Sequence, residues 1–329
     1  MAGGPTAWPR MLLRRRRLGL ERCGSCRGAA GISTATARMR RDHVAMQGSE
    51  RARAVAAAIS TASSLGLTVS DAIVVHDSNK LTLRLLPCDA LVRVAPVAQQ
   101  VAQFEIEIAQ RLAEFGSPVA ALDPRVEPRA YERDGFVVTF WTYYETAIAG
   151  GVSSVDYAGS LGRLHAGMRR LDVRTPHFTD RVDEARQLVA DRGTTPALAD
   201  ADREFLGATL RSLRQVIGEH GGAEQVLHGE PHPGNVLATK NGLLFVDLET
   251  CCRGPVEFDL AHAPEEVSDH YPGVDQDLLR DCRILVLAMI TTWRWDRGDQ
   301  LPNGRQLGMD WLSQVRAALG SGSDESRSA

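Results

Sequence analysis

The stretch that decides the fold of this 329-residue chain lies at 226–262 and reads VLHGEPHPGNVLATKNGLLFVDLETCCRGPVEFDLAH. After an apolar start it enters a tight turn, HGE at 228–230, and two prolines with Gly234 then interrupt regular structure. Proline and glycine impose backbone conformations that suit irregular loops, and such loops present polar side chains rather than packing them. The residues before Asn235 therefore predict a loop that carries functional groups.

A β-hairpin is predicted directly after this loop. Asn235 precedes a short strand at 236–238, the Lys-Asn-Gly turn at 240–242 is a hairpin signal, and a return strand at 243–246 ends in Asp247. Because the two open ends of a hairpin lie side by side, Asn235 and Asp247 are expected near each other and near the start of the loop.

This arrangement would bring together the groups that phosphoryl transfer requires. Glu230 supplies a carboxylate able to accept a hydroxyl proton, and Asn235 and Asp247 supply two oxygen ligands for a hard cation. Phosphoryl transfer depends mainly on a positioned nucleophile and on Mg²⁺ that neutralises developing charge. A solvated acidic face is the alternative, but Asp247 ends an apolar strand, which is a poor site for an idle charge.

The stretch resembles the aminoglycoside phosphotransferase family, whose members carry HGDxxPGN-like loops, an IDWE-like metal strand and a GPPEFDLA segment. Here the loop reads HGEPHPGN at 228–235, the metal strand reads DLE at 247–249, and the third segment reads GPVEFDLA at 254–261. LGRLH at 161–165 also looks like the LARLH helix of the family. The resemblance covers residues 70–295 and implies an α+β, two-lobed protein-kinase-like fold with a small β-rich N-lobe and a larger, mostly helical C-lobe.

The resemblance implies an enzyme that moves the γ-phosphate of ATP to a hydroxyl of a small molecule such as an aminoglycoside or another metabolite. It places Glu230 at the position of the catalytic base and Asn235 and Asp247 at catalytic, metal-binding positions. Glu249 would be a further ligand of Mg²⁺. Asp259 takes the position of a structural carboxylate that braces the catalytic loop.

The resemblance also assigns nucleotide contacts to the N-lobe and the hinge, at Ser78, Asn79, Arg93, Glu105, Trp141 and Tyr143. The turn at 77–80 would lie over the phosphates, and residues 140–143 would meet the adenine. Arg93 stands where the family has a phosphate-binding lysine. Glu105 would be its ion-pair partner, with Glu107 as the second choice.

Three departures from the family pattern affect activity. Glu230 replaces an aspartate, and a misplaced catalytic group can cost ~10²-fold in rate for a shift of about 1 Å. Arg93 replaces a lysine and binds phosphate as a planar fork rather than as a point charge. The phosphate turn lacks glycine. A non-catalytic, kinase-like nucleotide-binding protein is therefore the second hypothesis.

The periodicity of the chain fits the same fold. The order predicted for the N-lobe is a helix at 51–65, three strands, a helix at 101–115 and two strands, with the strands at 72–76, 81–86, 90–95, 129–132 and 136–141. Further helices are predicted at 157–171, 178–190, 200–220, 277–295 and 307–319. The expected domains are a disordered basic extension at 1–50, an N-lobe at 51–143, a C-lobe at 144–319 and a disordered tail at 320–329.

Composition excludes several other classes of protein. A net charge of −3 argues against a dedicated nucleic-acid binder, and the longest apolar run, 284–290, is far shorter than the ~20 residues of a membrane span. No secretory signal is visible, so a cytoplasmic protein is expected, with no nucleic-acid or membrane partner and an unknown oligomeric state. A basic tether at the N-terminus is the alternative for 1–50. A zinc or redox site at Cys23 and Cys26 is a third, weaker hypothesis.

Some polar residues keep two interpretations. His228 is interpreted as a loop histidine that bonds to the backbone rather than as an acid or base. His165 and His232 have no obvious third partner, which argues against a metal triad. The acidic residues that follow the metal strand either bind a cationic acceptor or form a solvated loop and helix start; they are Glu265, Glu266, Asp269, Asp275 and Asp277.

Overall fold

The structure is a computed structural model that describes residues 16–17, 46, 48–78, 80–98, 101–146 and 152–325. It divides into two compact units. Of the described residues, the first unit comprises those up to 102 and 122–143, and the second comprises 103–121 and those from 144 to 325. Most of the predicted extension at 1–50, including Cys23 and Cys26, lies outside the described residues, as does Asn79.

The first unit is built on a six-stranded antiparallel sheet with the order β1-β2-β3-β4-β6-β5. Its strands are β1 Arg16–Arg17, β2 Val69–Asp77, β3 Leu81–Pro87, β4 Ala90–Pro96, β5 Tyr131–Arg133 and β6 Phe136–Thr142. The five strands predicted for this part of the chain are all present and differ from their predicted bounds by a few residues at most.

One face of this sheet is covered by helix α1, Gly48–Ser64. Alternate residues of β3, Leu81, Leu83 and Leu85, are fully buried, as the two-residue period of a strand requires. Helix α1 meets them with a row of small buried side chains, Ala54, Ala57, Ala58 and Ala62. Because alanine is short, the helix axis can approach the sheet closely.

The second unit is mainly helical. Its helices are α2 Ala102–Glu114, α3 Ser154–Met168, α4 Phe178–Ala190, α5 Asp200–Glu219, α6 Val256–Leu260, α7 Gln276–Trp293 and α8 Gly304–Glu325. Two small antiparallel ladders interrupt them, β7 Gln225–Leu227 with β10 Cys252–Gly254, and β8 Val236–Thr239 with β9 Gly242–Phe245. Helix α6 and the β7–β10 ladder were not predicted. Helix α8 continues into the segment expected to be a disordered tail.

The core of the second unit lies between α4, α5, α7 and α8. Phe178 at the start of α4 is fully buried and packs against Phe258 with 5.3 Å between ring centroids. Both aromatic rings sit beside the β7–β10 ladder, since the register pairs Leu227 with Cys252 and both side chains are buried in the same core. This packing fixes the strand from which the loop at 228–235 emerges.

Helix ends in this unit are capped by side chains. His177 and Asp180 form a capping box at the start of α4, and Asp275 accepts hydrogen bonds from the backbone of Asp277 and Leu278 at the start of α7. Among the described residues, no helix is both long enough and apolar enough to cross a membrane.

The core around Phe178 yields a stability prediction. Replacing Phe178 by Ala removes a fully buried ring and should lower the free energy of unfolding by ~3–5 kcal/mol. The matched control is Val155→Ala, since Val155 is 58% exposed. Urea denaturation followed by circular dichroism measures both. Equal unfolding midpoints for the two variants would contradict the assigned core.

Candidate active site

Asp259 anchors the first residues of the loop at 228–235. Its Oδ2 accepts a hydrogen bond from the backbone N–H of His228 and its Oδ1 accepts one from that of Gly229, each at 2.8 Å. The side chain is fully buried. Burial raises the pKa of this carboxyl, but its hydrogen bond and charge interaction with His165 outweigh burial and lower the pKa below its usual value. The ionised carboxylate therefore holds the loop in the bracing role expected from the sequence.

His165 on α3 extends this anchor. Its Nε2 lies 2.9 Å from Asp259 Oδ2 and its Nδ1 lies 2.7 Å from the hydroxyl of Tyr271. Burial raises the pKa of Tyr271 to about 12, so its hydroxyl keeps its proton. The sequence offered no partner for His165, because both partners stand about a hundred residues further along the chain. The histidine serves a buried hydrogen-bond chain.

His228 makes backbone hydrogen bonds, as its sequence context predicts. Its Nε2 lies 3.0 Å from the carbonyl oxygen of Val246, to which it donates, and its Nδ1 accepts from the backbone N–H of Glu230. Burial lowers the pKa of His228 despite the opposing charge of Asp259. A neutral ring with the proton on Nε2 satisfies both bonds.

Gly229 occupies a position that a larger residue could not take. Its φ is +88°, and a Cβ atom there would lie 2.1 Å from the carbonyl oxygen of Thr250. The hydroxyl of Thr250 in turn donates to the carbonyl oxygen of His228 at 3.0 Å. The loop is thereby pressed against the segment Leu248–Thr250 that follows Asp247.

The hairpin brings Glu230, Asn235 and Asp247 into one cluster. Its two strands pair from Val236 with Phe245 to Thr239 with Gly242, and the N–H of Val246 donates to the carbonyl oxygen of Asn235 at 3.0 Å. The side-chain amide of Asn235 donates to the backbone oxygen of Glu230 at 3.0 Å. The three residues are therefore neighbours, as the loop and hairpin predict.

Three carboxylates meet beside the hairpin. Glu105, Asp247 and Glu249 each offer one oxygen, and these oxygens lie within 4.8 Å of one another. Asp247 adopts a left-handed backbone conformation, with φ 68° and ψ 54°, which aspartate tolerates better than most residues. Oxygen donors of this kind suit a hard divalent cation, and their mutual repulsion favours binding one. The donor set fits Mg²⁺.

Glu105 has a candidate role beside the predicted one. The sequence assigns Glu105 to an ion pair with Arg93, and its buried carboxylate also lies in the cluster with Asp247 and Glu249. Glu107, the second choice for that pair, instead bonds to Arg111 on the surface of α2 at 2.7 Å. The pairing of Glu105 with Arg93 stays a prediction.

Arg181 on α4 forms an ion pair with Glu230 through Nη2 and Oε1. Burial raises the pKa of Glu230, but the charge of Arg181, that of His262 and the hydrogen bond from Arg181 together lower it below its usual value. The sequence did not predict this partner, because no motif marks Arg181 and 49 positions separate it from Glu230. The carboxylate at the predicted base position is thus ionised, and its Oε1 is bonded to Arg181.

The residues predicted to contact the nucleotide lie mainly in the first unit. Arg93 sits on β4 opposite Thr82 on one side and Thr139 on the other. The indole of Trp141 is buried and donates to the hydroxyl of Thr139 at 2.9 Å. The guanidinium of Arg84 covers the ring of Tyr143 at 3.8 Å from its centroid.

The turn predicted to lie over the phosphates joins β2 to β3. The backbone N–H of Ser78 donates to the carbonyl oxygen of Lys80 at 3.2 Å, and Lys80 is itself buried. Asn79 lies outside the described residues. The nucleotide contacts of Ser78, Asn79, Arg93, Trp141 and Tyr143 stay predictions.

A cavity of about 240 Å³ lies in the second unit, and its lining residues are Val152, Ser154, Tyr157, Pro264, Glu266 and Val267. The hydroxyl of Tyr157 donates to the carbonyl oxygen of Pro231, so this cavity adjoins the loop at 228–235. Glu266 is the acidic residue of this lining. Asp275, from the same acidic stretch, instead caps α7 and bonds to His220 at 3.0 Å.

The anchor on Asp259 yields a pH-dependent prediction. Asp259→Asn should destabilise the protein by about 3 kcal/mol at pH 7, because charged hydrogen bonds are lost in a buried site. Because the folded state lowers the pKa of Asp259, the stability that its carboxylate contributes is fully present at a pH above its unfolded-state pKa. That stability is lost as pH falls through its folded-state pKa. Urea titrations of the parent and of Asp259→Asn should therefore give unfolding free energies that converge as pH falls below the ordinary aspartate range. A constant difference between the two proteins would contradict the assignment.

Comparison with known proteins gives the same fold and a family. A family model described as the phosphotransferase enzyme family matches residues 74–281, more than half of the chain. No curated protein sequence matches.

Solved structures of three kinases and phosphotransferases resemble this chain. An aminoglycoside 2'-phosphotransferase-IIIa in complex with GDP has a TM-score of 0.61 at 13% identity, covering 82% of this chain and 99% of that one. Amicoumacin kinase hAmiN gives 0.60 at 11% identity, covering 74% and 87%. Choline kinase LicA from Streptococcus pneumoniae gives 0.58 at 16% identity, covering 80% and 97%. At these identities the likeness confirms the predicted α+β kinase-like fold, and with the family match it follows that this chain belongs to the phosphotransferase enzyme family.

Proposed function

We propose that this phosphotransferase is a small-molecule kinase that moves the γ-phosphate of ATP to a hydroxyl group. The observation that carries the proposal is the cluster built by one loop and one hairpin. Its backbone and side-chain hydrogen bonds hold the loop residue Glu230 next to Asn235, and the end of the hairpin with Asp247 next to Asn235. Asp247 in turn lies with two further carboxylates, those of Glu105 and Glu249.

Each residue of the cluster has a separate task in the proposed reaction. Glu230 orients the acceptor hydroxyl and takes its proton while the hydroxyl oxygen bonds to the γ-phosphorus and the bond to the β-γ bridging oxygen breaks. The side-chain oxygens of Asn235, Asp247 and Glu249 would hold Mg²⁺, with Glu105 as a fourth candidate ligand. When bound there, Mg²⁺ would neutralise charge on the phosphate oxygens. ADP and the phosphorylated acceptor are the products.

Nucleotide binding is proposed for Ser78, Asn79, Arg93, Trp141 and Tyr143, together with the acidic cluster. Structures of similar fold were solved with AMP-PNP and Ca²⁺ for amicoumacin kinase hAmiN and with GDP for aminoglycoside 2'-phosphotransferase-IIIa. These complexes support a purine nucleotide with a divalent cation, and we propose ATP with Mg²⁺.

The acceptor is proposed to bind in the cavity beside Tyr157. This cavity touches the loop through the bond from Tyr157 to Pro231. Its lining residues are mostly apolar and include the acidic Glu266, which favours an acceptor that combines an apolar part with a positive charge. Solved structures of similar fold include a choline kinase and a spectinomycin phosphotransferase. Partners other than nucleotide and acceptor are not proposed, and a cytoplasmic location stays a prediction.

A non-catalytic nucleotide-binding protein is the second candidate. Glu230 in place of aspartate and its ion pair with Arg181 favour it, because a carboxylate engaged by a guanidinium is a weaker base. The two candidates differ in one observable: the kinase transfers labelled phosphate to an acceptor, and the binding protein transfers none.

Removal of Asp247 tests the proposed reaction. Asp247→Ala should reduce Mg²⁺-dependent phosphate transfer by at least ~10²-fold, because a cation ligand and its neutralising effect are lost. The fold should survive, because the substitution leaves the segment Leu248–Thr250 and its buried Leu248 in place. The control is Asp310→Ala on the exposed face of α8. Transfer from γ-labelled ATP, with circular dichroism for folding, measures both. Unchanged turnover in Asp247→Ala would refute the assignment.

A screen of hydroxyl compounds with labelled ATP tests the acceptor class. Cationic acceptors should be phosphorylated, and Glu266→Gln should raise their KM by about tenfold, which corresponds to ~1.4 kcal/mol. Glu265→Gln is the matched control, because Glu265 is the neighbouring residue and its side chain is 78% exposed. Acceptors without positive charge, or equal effects of the two variants, would contradict the proposed cavity.

A further inference from the structure

The carboxylate of Glu230 forms an ion pair with a side chain from outside its own loop. Arg181 reaches it from α4 and donates from Nη2 to Oε1. The pair is largely buried, with 16% of the Arg181 side chain and 19% of the Glu230 side chain exposed. A charge-assisted hydrogen bond in such a setting is short and directional.

Arg181 is presented by a rigid part of the second unit. It follows Phe178, which is fully buried, and the capping box at the start of α4. The chain before α4 is bonded to β10, since the N–H of Arg253 donates to the carbonyl oxygen of Pro176 at 2.8 Å. The β7–β10 ladder, whose strand β7 leads into the loop at 228–235, therefore also fixes the helix that carries Arg181.

The surroundings favour one direction for the guanidinium. The ring of Trp293 on α7 lies 6.0 Å from the Arg181 Cζ. Burial lowers the pKa of Arg181, but the charge of Glu230 and its hydrogen bond raise it above the usual value. Within the described part of the chain, its Nη1 is buried and has no hydrogen-bond partner. A buried charge that is paired at one end has little freedom to turn away, because losing that pair leaves it uncompensated.

Glutamate at this position needs such a support more than aspartate would. Its side chain has one more rotatable bond, so more rotamers compete with the productive one. The loose transition state of phosphoryl transfer leaves the protein mainly the tasks of positioning and charge stabilisation, so orientation of the nucleophile matters more than the strength of the base. A guanidinium fork that fixes one carboxylate oxygen supplies that orientation at the expense of basicity.

We infer that Arg181 is a positioning residue that holds the carboxylate of Glu230 in the orientation from which Oε2 meets the acceptor hydroxyl. This inference rests on the proposed function, because it assumes that Glu230 faces the acceptor. Arg181 itself contacts neither acceptor nor nucleotide in this scheme. It adapts the site to a residue one methylene longer than the family pattern.

Two substitutions at position 181 test the inference against a control on the same helix. Arg181→Met should lower kcat for phosphate transfer by about 10²-fold with an unchanged KM for ATP, because the Glu230 carboxylate loses its orientation. Arg181→Lys should recover part of kcat, since lysine keeps the charge but not the planar fork. Arg186→Met removes a surface pair with Asp183 and should leave kcat unchanged. An Arg181→Met or Arg181→Lys protein with the kcat of the parent would overturn the inference.

A double-mutant cycle separates positioning from a general effect on the fold. In the Glu230→Gln background, Arg181→Met should produce no further loss of kcat, because both changes act through the same carboxylate. If the kcat losses of the two single substitutions multiply in the double variant, the inference is contradicted while the proposed function stays intact. If Glu230→Gln alone keeps full kcat, the proposed role of Glu230 fails instead. Turnover is measured with the acceptor found by the screen, or as hydrolysis of Mg-ATP when water is the acceptor.

A crystal structure gives a readout that does not depend on turnover. In Arg181→Met the Glu230 carboxylate should move by more than about 1 Å or take several rotamers. Should that variant fail to fold because Glu230 is left unpaired, the Arg181→Lys protein is used. A smaller displacement is expected there, since lysine keeps the charge but not the planar fork. An unmoved carboxylate in the variant that folds would overturn the inference.

Discussion

The bond between Asp259 and two consecutive backbone N–H groups is the interaction on which the site depends. Those N–H groups belong to His228 and Gly229, the residues at which a buried strand gives way to the loop at 228–235. Without an acceptor there, two backbone donors would be buried and unpaired, which costs free energy comparable to a lost hydrogen bond for each. Glycine at 229 permits the turn that presents both donors to one carboxylate. Everything that follows in the chain, up to the hairpin, is placed from this point.

From that anchor the site is assembled by short-range bonds. The amide of Asn235 returns to the backbone of Glu230, and the hairpin then sets Asp247 beside Asn235. Longer connections add the groups that the loop lacks. Helix α2 contributes Glu105 to the acidic cluster, and α4 contributes Arg181 to Glu230. The site therefore combines a locally determined scaffold with partners supplied by the tertiary structure. Arg181 pairs with the charge of Glu230, and the charges of Glu105, Asp247 and Glu249 form a candidate cation site.

Local signals explain what could be predicted from sequence. Proline, glycine and the Lys-Asn-Gly turn act within a few residues, so the loop, the hairpin and the meeting of Asn235 with Asp247 could be foreseen. The helices and the main strands follow from apolar periodicity. The three-residue strands β7 and β10 are too short to show a period, and helix α6 has five residues. The bonds from Arg181 to Glu230 and from His165 to Asp259 join residues far apart in sequence. No local pattern marks such pairs, and a single sequence gives no covariation from which to infer them.

The central claim is that the loop and hairpin form the place where Mg²⁺ and the γ-phosphate meet the acceptor hydroxyl. A crystal structure with Mg²⁺ and a non-hydrolysable ATP analogue tests it most directly. The account predicts density for the cation on Asp247 together with Asn235 or Glu249, and the terminal phosphate on the side that Glu230 faces. A nucleotide bound elsewhere, or bound with these side chains pointing away from it, would contradict the account.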